Sequence, residues 1–189
     1  MARKTPKRKE RVDIGRERRR SLCRFAMALS DIHAATSACD LMLEERPGMG
    51  DAHYWAYHNA IINSYGRPFT TMKPIGKLPT SVLRSLTPRQ RQIHGEILEH
   101  RNTMAAHSDL NAKPVYYMPK GAAMGETGMR AEAGGFVTGN TGWSFALWAE
   151  VKEVTMVVGS VVQAEAMRLV DLVYPPGFYA PTMIKIEVD

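Results

Sequence analysis

The sequence has only two cysteines, and it has no uninterrupted apolar run near the roughly 20 residues that cross a bilayer. Cys23 and Cys39 fall in one predicted helix, where their separation is about 24 Å, too long for a disulfide. Neither cysteine has a CxxC partner, so zinc binding is not indicated. The basic amino terminus lacks the apolar core of a secretory signal. We therefore expect a cytoplasmic protein with reduced cysteines and no membrane contact.

Positive charge is concentrated at the start of the chain. The first twenty residues contain ten Lys or Arg and three acids, a net charge of +7, whereas the whole chain carries +6. Residues 1–17 are therefore predicted to form a basic, disordered tail. A polyanion such as RNA or DNA would be attracted to such a tail. A solubilising tail that binds nothing specific explains the same composition.

Apolar residues spaced by three and four predict four substantial helices between residues 18 and 175. They are expected at residues 18–45, 51–66, 87–109 and 143–174. Asp51 is an expected N-cap, and Thr87-Pro88 is typical of a helix start with proline at the first position. Proline and glycine follow the first two segments and end them. The pattern predicts an all-α bundle of four to five helices.

Residues 110–143 form a glycine-rich insertion in this bundle, with seven glycines between Gly121 and Gly142. Within it, Val115–Met118 is a candidate strand that pairs with the segment around 135–138. Residues 176–189 are expected to be a C-terminal tail, in which an alternating stretch suits an edge strand.

Arg101-Asn102 is followed, after four residues, by His107 at the end of the third predicted helix. This pattern resembles the motif of the HEPN superfamily, in which an Arg and a His lie a few residues apart on the third long helix of a bundle. The segment Tyr65-Gly66-Arg67-Pro68-Phe69 is also similar to one that precedes the motif in bacterial and phage relatives. The resemblance covers residues 21–109 and, as a bundle, the helix after Trp143.

The resemblance implies a metal-independent endoribonuclease without a cofactor, related to toxins or phage defence. His107 would transfer protons, Arg101 would stabilise the phosphate, and Asn102 would orient either group. Six residues along a helix separate Arg101 and His107 by about 120°. The resemblance implies a homodimer that unites the two side chains in one cleft. RNA and an antitoxin or nucleotidyltransferase are the further partners it implies.

Arg101 has a structural alternative. It follows Ile93 and Ile97 on an otherwise apolar stripe, where a guanidinium is costly unless it is paired or functional. The alternative pairs Arg101 with a buried acid from another helix. The acids considered are Asp31, Asp40 and Glu150. His107 would then only interact with the carbonyl end of its helix.

Three more residues are candidates for substrate binding. His100 lies seven residues before His107 and nearly in line with it, so it borders the predicted cleft or is a solvated surface histidine. Arg67 contacts phosphate or has an ordinary surface role, and Ser108 orients His107 or ends the helix. The competing function is a non-catalytic HEPN-like module that binds RNA, a nucleotide or a partner protein, including a phage protein that counters host defence.

Overall fold

The computed structural model describes residues 14–71, 73–105, 115–122, 132, 135–138, 142–174, 183 and 185–187. It is an all-α helical bundle with a small hairpin. The helices are α1 (Ile14–Glu45), α2 (Ala52–Gly66), α3 (Pro88–Ala105) and α4 (Phe145–Val173). The strands are β1 (Val115–Met118) and β2 (Gly135–Thr138), and two short 3-10 turns cover Arg67–Phe69 and Thr80–Leu83.

The helix starts follow the expected capping chemistry. The carboxylate of Asp51 accepts a hydrogen bond from the backbone N–H of His53 at 2.8 Å. Thr87 and Gln90 exchange backbone-to-side-chain hydrogen bonds at 3.0 and 3.2 Å, which is a capping box. The hydroxyl of Ser144 accepts a hydrogen bond from the backbone N–H of Leu147 and so caps α4. The predicted starts at Asp51 and Thr87-Pro88 are therefore confirmed.

The first helix starts earlier than predicted. It begins at Ile14, four residues before the expected start at residue 18, so its first turn includes part of the predicted tail. Residues 1–13 lie outside the described part of the chain. The third helix is described as far as Ala105, and its expected end near Ser108 also lies outside.

The core is formed by α1 packed along α4 and α2. Gly159 on α4 faces Ile32 on α1, and the two helices exchange a hydrogen bond between the hydroxyls of Thr36 and Thr155 at 2.9 Å. Val162 is fully buried on α4. Within the described residues, no helix combines the length and apolar character that crossing a bilayer requires.

The predicted hairpin is confirmed in the described residues. β1 and β2 are antiparallel, with Val115 opposite Thr138 and Met118 opposite Gly135. The prediction of a C-terminal edge strand is wrong for the described residues of that segment. Residues 183 and 185–187 form no strand. Ile186 instead packs against the core.

Candidate functional site

Arg101 lies on the inner side of α3. Ile97 and Ile93, one and two turns earlier on the same stripe, are fully buried. The Arg101 side chain is half-buried and passes directly over Gly66, the last residue of α2. A methyl group at Gly66 would overlap Cδ of Arg101 and lie 3.1 Å from its Nε. Because glycine has no side chain, position 66 leaves room for the side chain of Arg101.

The three acids considered as partners for Arg101 all pair with other bases. The ion pairs are Asp31 with Arg67 at 2.7 Å, Asp40 with Lys152 at 2.6 Å and Glu150 with Arg89 at 2.6 Å. Those three pairings with Arg101 are therefore wrong. Among the described residues, Arg101 forms no ion pair, and its Nε is buried without a hydrogen-bond partner. A buried donor without a partner is costly, so an internal ion pair does not explain the position of Arg101.

The next residue on α3 is joined to α2. Nε2 of His100 lies 2.9 Å from Nε2 of His58. His58 is fully buried, and its Nδ1 has no hydrogen-bond partner among the described residues. His100 is half-buried, so the expectation of a solvated surface histidine was wrong.

Aromatic rings surround this histidine pair. The ring of His100 lies 5.0 Å from that of Trp143, and the ring of His58 lies 5.4 Å from that of Trp148. The hydroxyl of Tyr54 hydrogen-bonds both the backbone N–H and the carbonyl of Trp143, at 2.6 and 2.9 Å. These contacts hold Trp143 in place and keep water from the buried side of the pair.

Burial determines the charge of the pair. It lowers the pKa of His58 to about 4, since a charged imidazolium is poorly solvated there and His100 is close. Burial also lowers the pKa of His100. Both rings are therefore neutral at pH 7, and each has one N–H and one lone pair.

His100 opens onto a pocket of about 310 Å³. The other lining residues are Glu96, Glu99, Thr103 and Trp143. With Nε2 engaged by His58, the ring nitrogen that His100 has left for this pocket is Nδ1.

The segment before the motif builds the contact between α2 and α3. The hydroxyl of Tyr65 lies 2.8 Å from Nδ1 of His94 inside the core, and the ring of Phe69 lies 4.7 Å from that of His94. Arg67, a candidate phosphate ligand, is half-exposed but already paired with Asp31. This segment therefore has a structural role that places Gly66 beside α3.

Of the remaining predicted site residues, the structure describes only Asn102. Asn102 is exposed on α3. His107 and Ser108 lie outside the described residues, so their expected roles stay predictions. Among the residues that the structure describes, no three His, Cys, Asp or Glu side chains are grouped as metal ligands.

His58 is the site residue that the sequence did not indicate. Its position on the buried face of α2 was visible from helical spacing, but its partner is 42 residues away in the chain. No local pattern connects the two histidines.

No protein-family model, curated protein or solved structure gives a significant match to this chain. The resemblance to the HEPN superfamily therefore stays a prediction from the sequence.

Proposed function

We propose that this protein is a metal-independent endoribonuclease of the HEPN type. The observation that carries the proposal is the half-buried Arg101, whose Nε has no partner among the described residues and whose neighbour His100 opens onto a pocket. RNA supplies its own nucleophile, the ribose 2′-OH. Arg101 holds the scissile phosphate and stabilises the charge that develops on it. His107 transfers protons, and Asn102 orients the reacting groups.

In this proposal the chain is a cytoplasmic toxin or defence effector, restrained by an antitoxin or nucleotidyltransferase partner. Cleavage leaves a 2′,3′-cyclic phosphate and a 5′-OH, because the 2′-oxygen displaces the 5′-oxygen from phosphorus. The basic N-terminal segment supplies non-specific attraction for RNA, which weakens as salt concentration rises.

The test is cleavage of an end-labelled mixed RNA pool in EDTA. The wild type is compared with Arg101→Ala and His107→Ala, and with Arg84→Ala and His33→Ala, which replace exposed residues of the same types elsewhere. We expect cyclic-phosphate ends from the wild type and both controls, and none from the two site variants. Absence of cleavage by well-folded wild-type protein would contradict the proposal and favour a binding module.

The proposal includes a homodimer in which Arg101 of one subunit meets His107 of the other. Arg101→Ala and His107→Ala should then restore activity when unfolded and refolded together. Half of the random dimers are mixed, and each has one intact site, so about a quarter of wild-type activity is expected. Light scattering that finds a monomer, or a mixture without activity, would contradict the shared site.

A further inference from the structure

RNA transesterification requires two proton transfers. The 2′-OH must lose a proton as it attacks, and the 5′-oxygen must gain one as it leaves. The proposed motif contains one histidine, His107. The structure places a second histidine, His100, one residue from Arg101 on the same helix.

The contact with His58 defines which atom of His100 exchanges protons. At 2.9 Å, only one of the two facing Nε2 atoms can carry a hydrogen, because two N–H groups would repel each other. The pair therefore accepts one proton and not two. The charge is better solvated on half-buried His100 than on His58, which is fully buried. When the pair carries this proton, Nε2 of His100 donates a hydrogen bond to Nε2 of His58, and the added proton is on Nδ1 of His100.

The pocket has the chemistry of a ribose subsite. The carboxylates of Glu96 and Glu99 and the hydroxyl of Thr103 line it, and these oxygens accept hydrogen bonds from sugar hydroxyls. The same carboxylates repel a phosphate, and Arg101, which does not line this pocket, is the residue proposed for that group. Trp143, fixed by Tyr54, forms an apolar wall beside His100.

We infer that His100 is the general base that takes the 2′-OH proton, and that His58 is a positioning residue that holds its ring. This inference rests on the proposed ribonuclease activity. The 2′-O–P bond forms as Nδ1 of His100 accepts the 2′-OH proton, and the P–O5′ bond breaks as His107 gives a proton to the 5′-oxygen. Water then reprotonates His107, and His100 returns its proton to water.

The test is the pH dependence of kcat/KM in EDTA for the wild type, His100→Gln, His58→Gln and His58→Phe. Gln at position 58 keeps a polar group that can bond Nε2 of His100, whereas Phe keeps the ring shape without one. Loss of a general base lowers the rate by about 10²–10⁴-fold, which is expected for His100→Gln. His58→Phe should shift the acid limb to lower pH and reduce the plateau, because the imidazolium loses its acceptor. His58→Gln should leave the acid limb at the wild-type pH and keep the plateau value of kcat/KM within about tenfold of wild type.

A purely structural His58 would lower the melting temperature of both His58 variants and leave the acid limb in place, which would overturn its positioning role. Full activity of His100→Gln, with Arg101→Ala inactive, would overturn the inference and leave the ribonuclease standing. An inactive wild type would overturn both.

One readout needs no variant. Ring ¹⁵N signals of His100 should move when a nucleoside 3′-phosphate, which keeps the 2′-OH and has no P–O5′ bond to cleave, is added, while those of His94, which contacts Tyr65 inside the core, should not. Unchanged His100 signals at a saturating concentration of this ligand would also overturn the inference.

Discussion

Replacing Gly66 with alanine should separate the stability of the fold from the placement of Arg101. Gly66 ends α2 with φ −75° and ψ −24°, a conformation that alanine adopts without strain. In an ordinary helix this change stabilises by roughly 0.5–1 kcal/mol. Here the new methyl group would overlap Cδ of Arg101, in the middle of its side chain. The arginine must therefore leave its position over α2.

The two effects on stability oppose each other. The gain in helix propensity is offset by the lost packing of the arginine stem, so we expect a net change within about 1 kcal/mol. For a chain of this size that corresponds to a melting-temperature shift of at most about 2–4 °C. The loss of activity should approach that of Arg101→Ala, about 10²-fold or more if the guanidinium stabilises charge in the transition state.

Gly95→Ala is the matched control. Gly95 lies within α3, and a methyl group there would meet no atom within 4 Å. It should raise the melting temperature by about 2–4 °C and leave RNA cleavage unchanged. Calorimetry and the EDTA cleavage assay would be applied to both variants. If Gly66→Ala were as active and as stabilised as Gly95→Ala, Arg101 would not need its position over α2.

Three further predictions concern the buried polar groups. The pKa of His58 is lowered from 6.5 to about 4, so between these pH values the unfolded chain binds a proton that the folded chain does not. Acidification through this range should therefore lower the free energy of unfolding, measured with urea, by about 3 kcal/mol. His58→Gln should flatten that dependence, and an equally steep curve would contradict it. Tyr65→Phe leaves Nδ1 of His94 without its partner in the core and should cost about 1–3 kcal/mol, and a change below 0.5 kcal/mol would argue against this buried hydrogen bond. Burial raises the pKa of the Cys39 thiol to about 12, so at pH 8 a thiol reagent should modify Cys23 long before Cys39 unless the protein is unfolded.

Local chemistry explains why the helices and the hairpin were predictable. The caps at Asp51 and Thr87 satisfy backbone groups within three residues of themselves, so the sequence around each is sufficient. The pairing of Val115–Met118 with Gly135–Thr138 was predictable because glycine-rich sequence flanks two short β-prone stretches. The many valines of α4 are also typical of a strand, but a segment of 29 residues is too long for one.

Two predictions were wrong because the same sequence pattern is compatible with more than one contact. The alternation at the C-terminus fitted an edge strand, but the described residues of that segment form no strand, and Ile186 packs against the core. Asp31, Asp40 and Glu150 were reasonable partners for Arg101 by charge, yet each pairs with a nearer base. Charge alone does not choose among several bases, because the choice depends on distances that the helix packing fixes.

The sequence by itself determined the bundle, the hairpin and the inward position of Arg101, because each follows from the periodicity or capping of a short segment. Only the tertiary structure decided that Gly66 leaves room for that arginine and that His100 meets His58. Both contacts join α2 to α3 across a loop of some twenty residues. Their geometry depends on how two helices cross, which is set by packing of the whole core rather than by any local pattern.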